Sequence, residues 1–366
     1  MSTIKDFGDK HVAVSSLETK LHATRKDPRI VSVNWFLGKR CNYDCSYCAS
    51  FFHDNYSPHI KLEDAKSFIE SLRDEVKTQN KMIKFAITGG EPFIHPHFYE
   101  IAEFIKLQGN CIQLSVTTNG SLPLEYYLRC IEHIDTITVS LHMEKSNTII
   151  DNTIAKIIAL SNNDIFLNVN LMALPGKFDK IKEIIDVFHK HNIKFVLRKI
   201  IPPYEDKDAI VTKKTLTVPI AELEKDFDKV KFDKKQYAIE TTSDRYLEYY
   251  SKDELAFLDA FVHNSWCNIK LHTEDDTLEC NTDDLILQDA NNWQNWKCYI
   301  GIDSLYIQHN GSVFRGTCMQ GGSIGKIGSP IDWPREPIVC PISKCGCNAD
   351  MVIRKVKDDR YTGLIN

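Results

Sequence analysis

No stretch of the 366-residue chain approaches the roughly 18 consecutive apolar residues of a membrane helix. The start, Met1-Ser2-Thr3-Ile4-Lys5-Asp6-Phe7-Gly8-Asp9-Lys10, has no apolar signal core. The expectations are therefore a cytoplasmic location and no membrane partner. Neither charge is in excess: 45 Lys and Arg stand against 50 Asp and Glu, a net charge of −5 with an isoelectric point near 6.2. Such a chain has no global attraction for nucleic acid, so a non-specific polynucleotide binder is not expected. Internal repeats and low-complexity tracts are absent as well, which excludes solenoids and arrays. What remains is an ordinary globular composition, 43% hydrophobic and 26% charged. The length exceeds a usual single domain, so one large domain and a smaller one are expected.

Cysteine, by contrast, is plentiful. There are twelve, and eight of them fall into two groups at opposite ends of the chain. In a reducing compartment metal explains them better than disulfides do. The first group is Cys41-Asn42-Tyr43-Asp44-Cys45-Ser46-Tyr47-Cys48, a C-x3-C-x2-C run with an aromatic before its last cysteine. Three thiols so close in sequence can close on one metal centre. A structural zinc site takes four ligands, and an ordinary iron–sulfur cluster also takes four cysteines. Three cysteines on a [4Fe–4S] cube leave one iron open. Taken alone, the run also fits a zinc loop borrowing a distant ligand, or three unrelated core thiols.

The spacing and the aromatic resemble the radical S-adenosylmethionine (SAM) enzymes. The resemblance implies that the amino and carboxylate groups of SAM chelate the open iron. One electron then cleaves SAM to a 5′-deoxyadenosyl radical, the cofactor supplying the chemistry and the protein the positions.

From residue 30 onward strand and helix patterns alternate. Strands are expected over 30–37, 84–88, 112–117, 134–141, 165–171 and 194–200, and helices over 61–77, 97–107, 123–132, 148–160 and 178–191. Alternation at this spacing predicts an α/β fold with a parallel sheet and right-handed crossovers. Doubly wound sheets and barrels share the pattern, and the resemblance selects a partial (β/α)6 TIM-type barrel over 28–201. An N-terminal extension, 1–27, is expected to pack on that barrel. The charged stretch 202–292 reads as an insertion or linker with helices near 220–230 and 253–262.

Thr88-Gly89-Gly90-Glu91-Pro92 ends the second strand. Glycine lets a backbone approach a ligand that a β-carbon would block. The motif resembles the family's Gly-Gly-Glu-Pro, which implies that Gly89, Gly90, Glu91 and Pro92 engage the SAM ammonium. Barrel logic puts other candidates at the C-terminal strand ends. The resemblance assigns Asn119 and Ser140 to SAM contacts and Tyr47 to the side of the cluster and adenine. Arg198 pairs either with the SAM carboxylate or with a neighbouring acid. His142 reads as structural or substrate-facing.

The second cysteine group lies in 293–366, where Leu305 to Phe314 reads as a hairpin around an Asn-Gly turn. Cys298, Cys318, Cys340, Cys345 and Cys347 resemble a small twitch or SPASM-type domain carrying one auxiliary [4Fe–4S] cluster. Six residues separate Gly311 from Cys318 where that pattern has four. Four of the five thiols would be ligands, the set is open, and a structural zinc fits the count equally. Cys111, Cys130, Cys267 and Cys280 are isolated and expected as buried thiols.

The resulting expectation is a radical SAM enzyme fed by a flavodoxin- or ferredoxin-like electron donor. A peptide or protein substrate is favoured over a small molecule, sugar or nucleoside. The competing reading from another class is a non-catalytic zinc-binding scaffold.

Overall fold

The computed structural model describes residues 3–5, 11–13, 21–25, 29–48, 52–200, 249–259, 268–273, 277–282, 285 and 291–357. Three short strands come first: β1 (Thr3–Lys5), β2 (His11–Ala13) and β3 (Leu21–Arg25). Then β4 (Ile30–Phe36), α1 (Leu62–Thr78), β5 (Met82–Thr88), α2 (Phe98–Leu107), β6 (Cys111–Thr118) and α3 (Leu124–Cys130) alternate. The alternation continues through β7 (Thr136–His142), α4 (Asn147–Ser161), β8 (Phe166–Ala173), α5 (Phe178–Lys190) and β9 (Lys194–Lys199). These bounds lie within a few residues of the sequence expectation.

Strands β4 to β9 are parallel and neighbours in sequence are neighbours in the sheet, with no reversal of order. A doubly wound sheet reverses at a switch point, so the mixed α/β fold here is of the partial TIM type. One face of the sheet is apolar. Val31, Val33, Trp35, Ile83, Phe85, Ile87, Val139 and Val169 are buried. Helix α1 meets this face with Ala65, Phe68, Ile69, Leu72 and Val76, a helical stripe. Trp35 lies edge-on to Phe68 at 5.9 Å. The alternate strand positions are polar: Ser32, Asn34, Ser115, Thr117, Thr138, Ser140, Asn168 and Asn170. A parallel sheet covered on both sides reads as an unbroken apolar run. This alternation instead leaves one face suited to a polar ligand.

After β9 come α6 (Lys252–Asp259), β10 (Asn268–Thr273), β11 (Thr277–Asn281), β12 (Lys297–Cys298), β13 (Ser304–Ile307) and β14 (Ser312–Phe314). The chain continues through β15 (Ser323–Lys326), β16 (Ile338–Val339), α7 (Asn348–Met351) and β17 (Lys355–Val356). The hairpin is present, and its first strand extends the barrel sheet. β13 pairs with β4 in parallel, Tyr306 opposite Asn34, and β14 and β15 complete nine strands.

In the N-terminal extension β1 and β2 pair with each other, and β3 joins a second sheet of order β11-β10-β3-β17-β12-β16. The β4 edge is already taken by β13, so β3 finds its backbone partners between β10 and β17. Strands β10 and β11, within the stretch read as an insertion or linker, belong to the same sheet. The predicted helix 253–262 matches α6, whereas the one near 220–230 lies outside the described residues. No helix among the described residues is long and apolar enough to cross a membrane.

Buried charge ties the two sheets together. Asp303 receives Arg354 at 2.9 Å and Lys81 at 3.1 Å, and Lys81 Nζ also donates to the Ile302 carbonyl at 2.9 Å.

Candidate active site

The thiols of Cys41, Cys45 and Cys48 follow β4, at its C-terminal end. The loop that carries them is clamped on both sides. Cys41 N donates to Asp54 O at 2.8 Å and Asp54 N to Lys39 O at 3.0 Å, closing the far side. On the near side lies the glycine motif. Leu37 N bonds Thr88 O, Gly90 N bonds Gly38 O and Glu91 N bonds Arg40 O, each at 2.8 Å. A β-carbon on Gly89 would come 2.5 Å from the Gly38 carbonyl oxygen, and one on Gly90 would overlap the backbone of Lys39 and Arg40. The glycines therefore let the second strand end lie directly against the cysteine loop.

Glu91 is 2% exposed and fills its carboxylate with protein donors. Phe93 N reaches it at 3.1 Å, Thr118 Oγ1 at 2.8 Å and Asn119 N at 2.6 Å. Burial nevertheless lifts its pKa to about 7, against those three hydrogen bonds. Pro92 then opens a 3-10 turn (Pro92–Ile94), where a missing N–H costs nothing. Asn119 links this network to the thiols. Its Nδ2 donates to Asn42 Oδ1 at 2.9 Å and lies 3.8 Å from Cys41 Sγ. Ser121 closes the ring, accepting from Asn42 Nδ2 at 2.8 Å.

On the other side of the thiols stands His142. Its Nδ1 lies 3.5 Å from Cys45 Sγ and shares a 2.5 Å hydrogen bond with the Tyr47 hydroxyl, the two rings stacked 13° apart. Burial lowers the His142 pKa to about 4, so its imidazole is neutral at pH 7. Glu144 accepts from Ser46 N at 3.0 Å, and Lys145 sits 4.3 Å over the Tyr43 ring. Burial raises all three thiols, Cys45 and Cys48 to about 11, while Lys145 pulls Cys41 and Cys45 back down.

The structure thus brings Tyr47, Gly89, Gly90, Glu91, Pro92 and Asn119 to the cysteine loop. Ser140 lies on the polar face of β7, opposite Asn170 in register. Arg198 Nε donates to Asn170 Oδ1 at 3.1 Å, so its recorded partner is an amide and not an acid. Residues not singled out from the sequence are Asn42, Thr118, Glu144 and Lys145. Glu144 and Lys145 follow directly on the C-terminal end of β7, and strand-end logic applied one turn further would have found them.

The C-terminal thiols also gather. Cys298, Cys340 and Cys345 are buried in an apolar cluster with Trp293, Trp296, Met351 and Ile353, and Cys318 packs against it. Cys347 stands one step away, at the residue before α7. Burial raises Cys298, Cys318 and Cys340, and lifts Cys345 to about 12. Among the described residues no three His, Cys, Asp or Glu side chains stand at the spacing of a single ion. Both donor sets are thiol-rich, with Cys45, Cys298, Cys340 and Cys345 buried and Cys48 exposed, and all-thiol donors fit iron–sulfur ligation. Of the isolated cysteines, Cys130 is fully buried as expected and Cys111 is half-buried. Cys280 lies on β11, and Cys267 is outside the described residues.

His95, at the end of the 3-10 turn, gives one pH prediction. It is 2% exposed, its Nε2 has no hydrogen-bond partner, and its ring meets His59 at 4.7 Å, with His97 and Glu100 nearby. Burial lowers its pKa from 6.5 to about 4. The unfolded chain therefore takes up a proton before the folded one does. The contribution to stability is full above pH 6.5 and is lost as the pH falls toward 4. Between pH 7 and 5 the cost is about 2 kcal/mol, read as a falling urea midpoint that His95→Phe makes flatter.

Residues 35–216 match the model of the Radical SAM superfamily. An S-adenosylmethionine-dependent nucleotide dehydratase from Selenomonas ruminantium is 33% identical over 121 residues, 32% of this chain and 41% of that protein. A GTP 3′,8-cyclase from Microcystis aeruginosa is 33% identical over 90 residues, 23% of this chain and 25% of that protein. The chain spans less than half the length of these curated relatives. Among solved structures, native anSMEcpe with bound AdoMet superposes with a TM-score of 0.48 at 15% identity, over 82% of this chain and 79% of that one.

Proposed function

We propose that this chain, whose residues 35–216 match the Radical SAM superfamily model, is an enzyme that cleaves SAM reductively and abstracts a hydrogen atom from its substrate. The observation that carries the reading is the network at the C-terminal strand ends that runs from Cys41, in the loop of three thiols, through Asn119 to the Glu91 turn. Cys41, Cys45 and Cys48 would hold a [4Fe–4S] cluster, and that cluster would supply the electron for reductive SAM cleavage.

The chain's own part is to hold. Asn119 and the Tyr43 amide, 3.4 Å from Cys41 Sγ, place donors on that sulfur. Lys145 offsets thiolate charge. Gly89, Gly90, Glu91 and Pro92 form the SAM-binding edge, with Glu91 fixing the backbone of Phe93 and Asn119. Tyr47, held by His142, flanks the adenine, and Ser140 and Arg198 on the polar face serve SAM or substrate. The C-terminal thiols hold one auxiliary cluster, and a flavodoxin- or ferredoxin-like protein delivers electrons.

For the substrate, the peptide or protein reading rests on the auxiliary-cluster domain. A second reading, a nucleotide, is favoured by the curated relatives, which are named for nucleotide dehydration and GTP cyclisation. The test uses anaerobically reconstituted protein. Iron and sulfide per chain are counted, then 5′-deoxyadenosine is measured with SAM and dithionite, alone and with nucleoside triphosphates. About eight irons per chain, as two four-iron centres require, with deoxyadenosine release is the expected result. Stimulation by a triphosphate selects the nucleotide reading. Zinc without iron and no SAM cleavage would return the chain to a scaffold.

A further inference from the structure

Lys355 is a lysine that the fold buries, 1% exposed, against Trp293, Met351 and Ile353, members of the cluster that holds Cys298, Cys340 and Cys345. Burying an ammonium is costly unless opposite charge and hydrogen bonds compensate it. The hydrogen bonds are there: Nζ donates to the carbonyls of Asp350 at 2.7 Å, Ile353 at 2.9 Å and Met351 at 3.0 Å. An ammonium has three protons, and three carbonyls accept. It is thus pinned as a point charge, 5.5 Å over the Trp293 ring.

The backbone of Lys355 is paired with Cys298 across β17 and β12. Cys298, Cys340 and Cys345 are 4%, 5% and 4% exposed, and each has its pKa pulled down by Lys355 against the burial that raises it. The nearby acid, Asp350, works the other way and pushes the same thiols up. Its carboxylate is engaged by the amides of Thr317 and Cys318. Metal-bound thiolates are negative, because ligation removes their protons, so a fixed ammonium beside them acts on their charge as the Asp350 carboxylate does in the opposite sense.

We propose that Lys355 is the built-in countercharge of a thiolate metal centre formed by the C-terminal cysteines, a positioning residue that sets the charge of that centre without touching the metal. The inference rests on the auxiliary-cluster reading above. It assigns to this chain a means of holding the centre more oxidising than its thiolates alone would make it. Charge near a cluster moves its reduction potential in this sense.

The test uses the full chain with Cys41, Cys45 and Cys48 replaced by Ala, so that only the C-terminal centre is read. Lys355→Met keeps the length and removes the charge; Asp350→Asn removes the opposing charge. Metal content, release of metal to a chelator and the midpoint potential are measured on parent and variants. The expected result is about four irons in the parent, a more negative potential with at least tenfold faster iron release in Lys355→Met, and a more positive potential in Asp350→Asn. A metal-loaded parent whose two variants keep its potential and release rate overturns the role of Lys355 alone. If the parent binds zinc, the release rates of the two variants decide. A parent that binds neither metal removes the centre and the countercharge together. Should Lys355→Met fail to fold, Asp350→Asn decides by itself, and an unchanged potential or release rate there overturns the inference.

Discussion

Replacing Cys45 by Ala is expected to abolish 5′-deoxyadenosine release while leaving the protein folded. Cys45 is the most buried of the three loop thiols, 5% exposed, and the one beside His142. With it gone two thiolates remain, and a cluster that relies on three protein ligands loses its seat. Loss of an outer partner of a metal site typically costs about 10–100-fold; loss of a ligand should exceed that range. Iron per chain should fall by about four of the eight expected under the two-cluster proposal, since the substitution leaves the C-terminal thiols untouched. The fold has little reason to fail, because removing one sulfur from a loop clamped by backbone bonds on both sides leaves those bonds intact. The check pairs iron counting and deoxyadenosine release with a urea melt. Turnover surviving in Cys45→Ala would sink the assignment of the catalytic site.

Gly90→Ala should have the other large effect, and by the opposite route. Here no chemistry is removed; one methyl group is added where the Lys39 and Arg40 backbone already lies. The new β-carbon would sit 2.6 Å from the Arg40 carbonyl carbon. The obstacle is backbone, so no side chain can swing aside to make room. Either β5 separates from the cysteine loop, breaking the bonds from Gly90 N and Glu91 N, or the loop is displaced. A destabilisation of more than about 4 kcal/mol is expected, at the exceptional end for one substitution. Loss of loop iron should accompany it. Gly109→Ala is the comparison, since a β-carbon there meets nothing within 4 Å and only its φ of 75° is unfavourable. That variant should lose about 1 kcal/mol and no iron. A Gly90→Ala protein as stable as the Gly109 variant would show that the two strand ends do not depend on their close approach.

The two substitutions mark how much was legible in the residues. The C-x3-C-x2-C run with Tyr47, and the glycine motif some forty positions later, were readable as one site because both resemble motifs of one family. Alternating apolar residues located six strands and five helices, since burial of one sheet face leaves a period of two in each strand. Less legible was what each residue touches. Glu91 reads from sequence as a carboxylate waiting for a cation, yet in the fold it is filled by Phe93, Thr118 and Asn119. Arg198 reads as half of an ion pair, and its recorded partner is Asn170. Hydrogen-bond partners separated by 28 residues in each case are set by strand register, which no local pattern records.

The sequence by itself therefore determined the class of chemistry and the order of the elements, because thiol spacing and hydrophobic period are local properties of the chain. Tertiary structure alone decided that β13 takes the edge of β4, which sent the N-terminal strand to the second sheet. It alone brought His142 to Cys45 across 97 residues and buried Lys355 against the cluster that holds Cys298, Cys340 and Cys345. Edge pairing and buried charge depend on which surfaces are still free once the sheet has formed, and that is settled only in three dimensions.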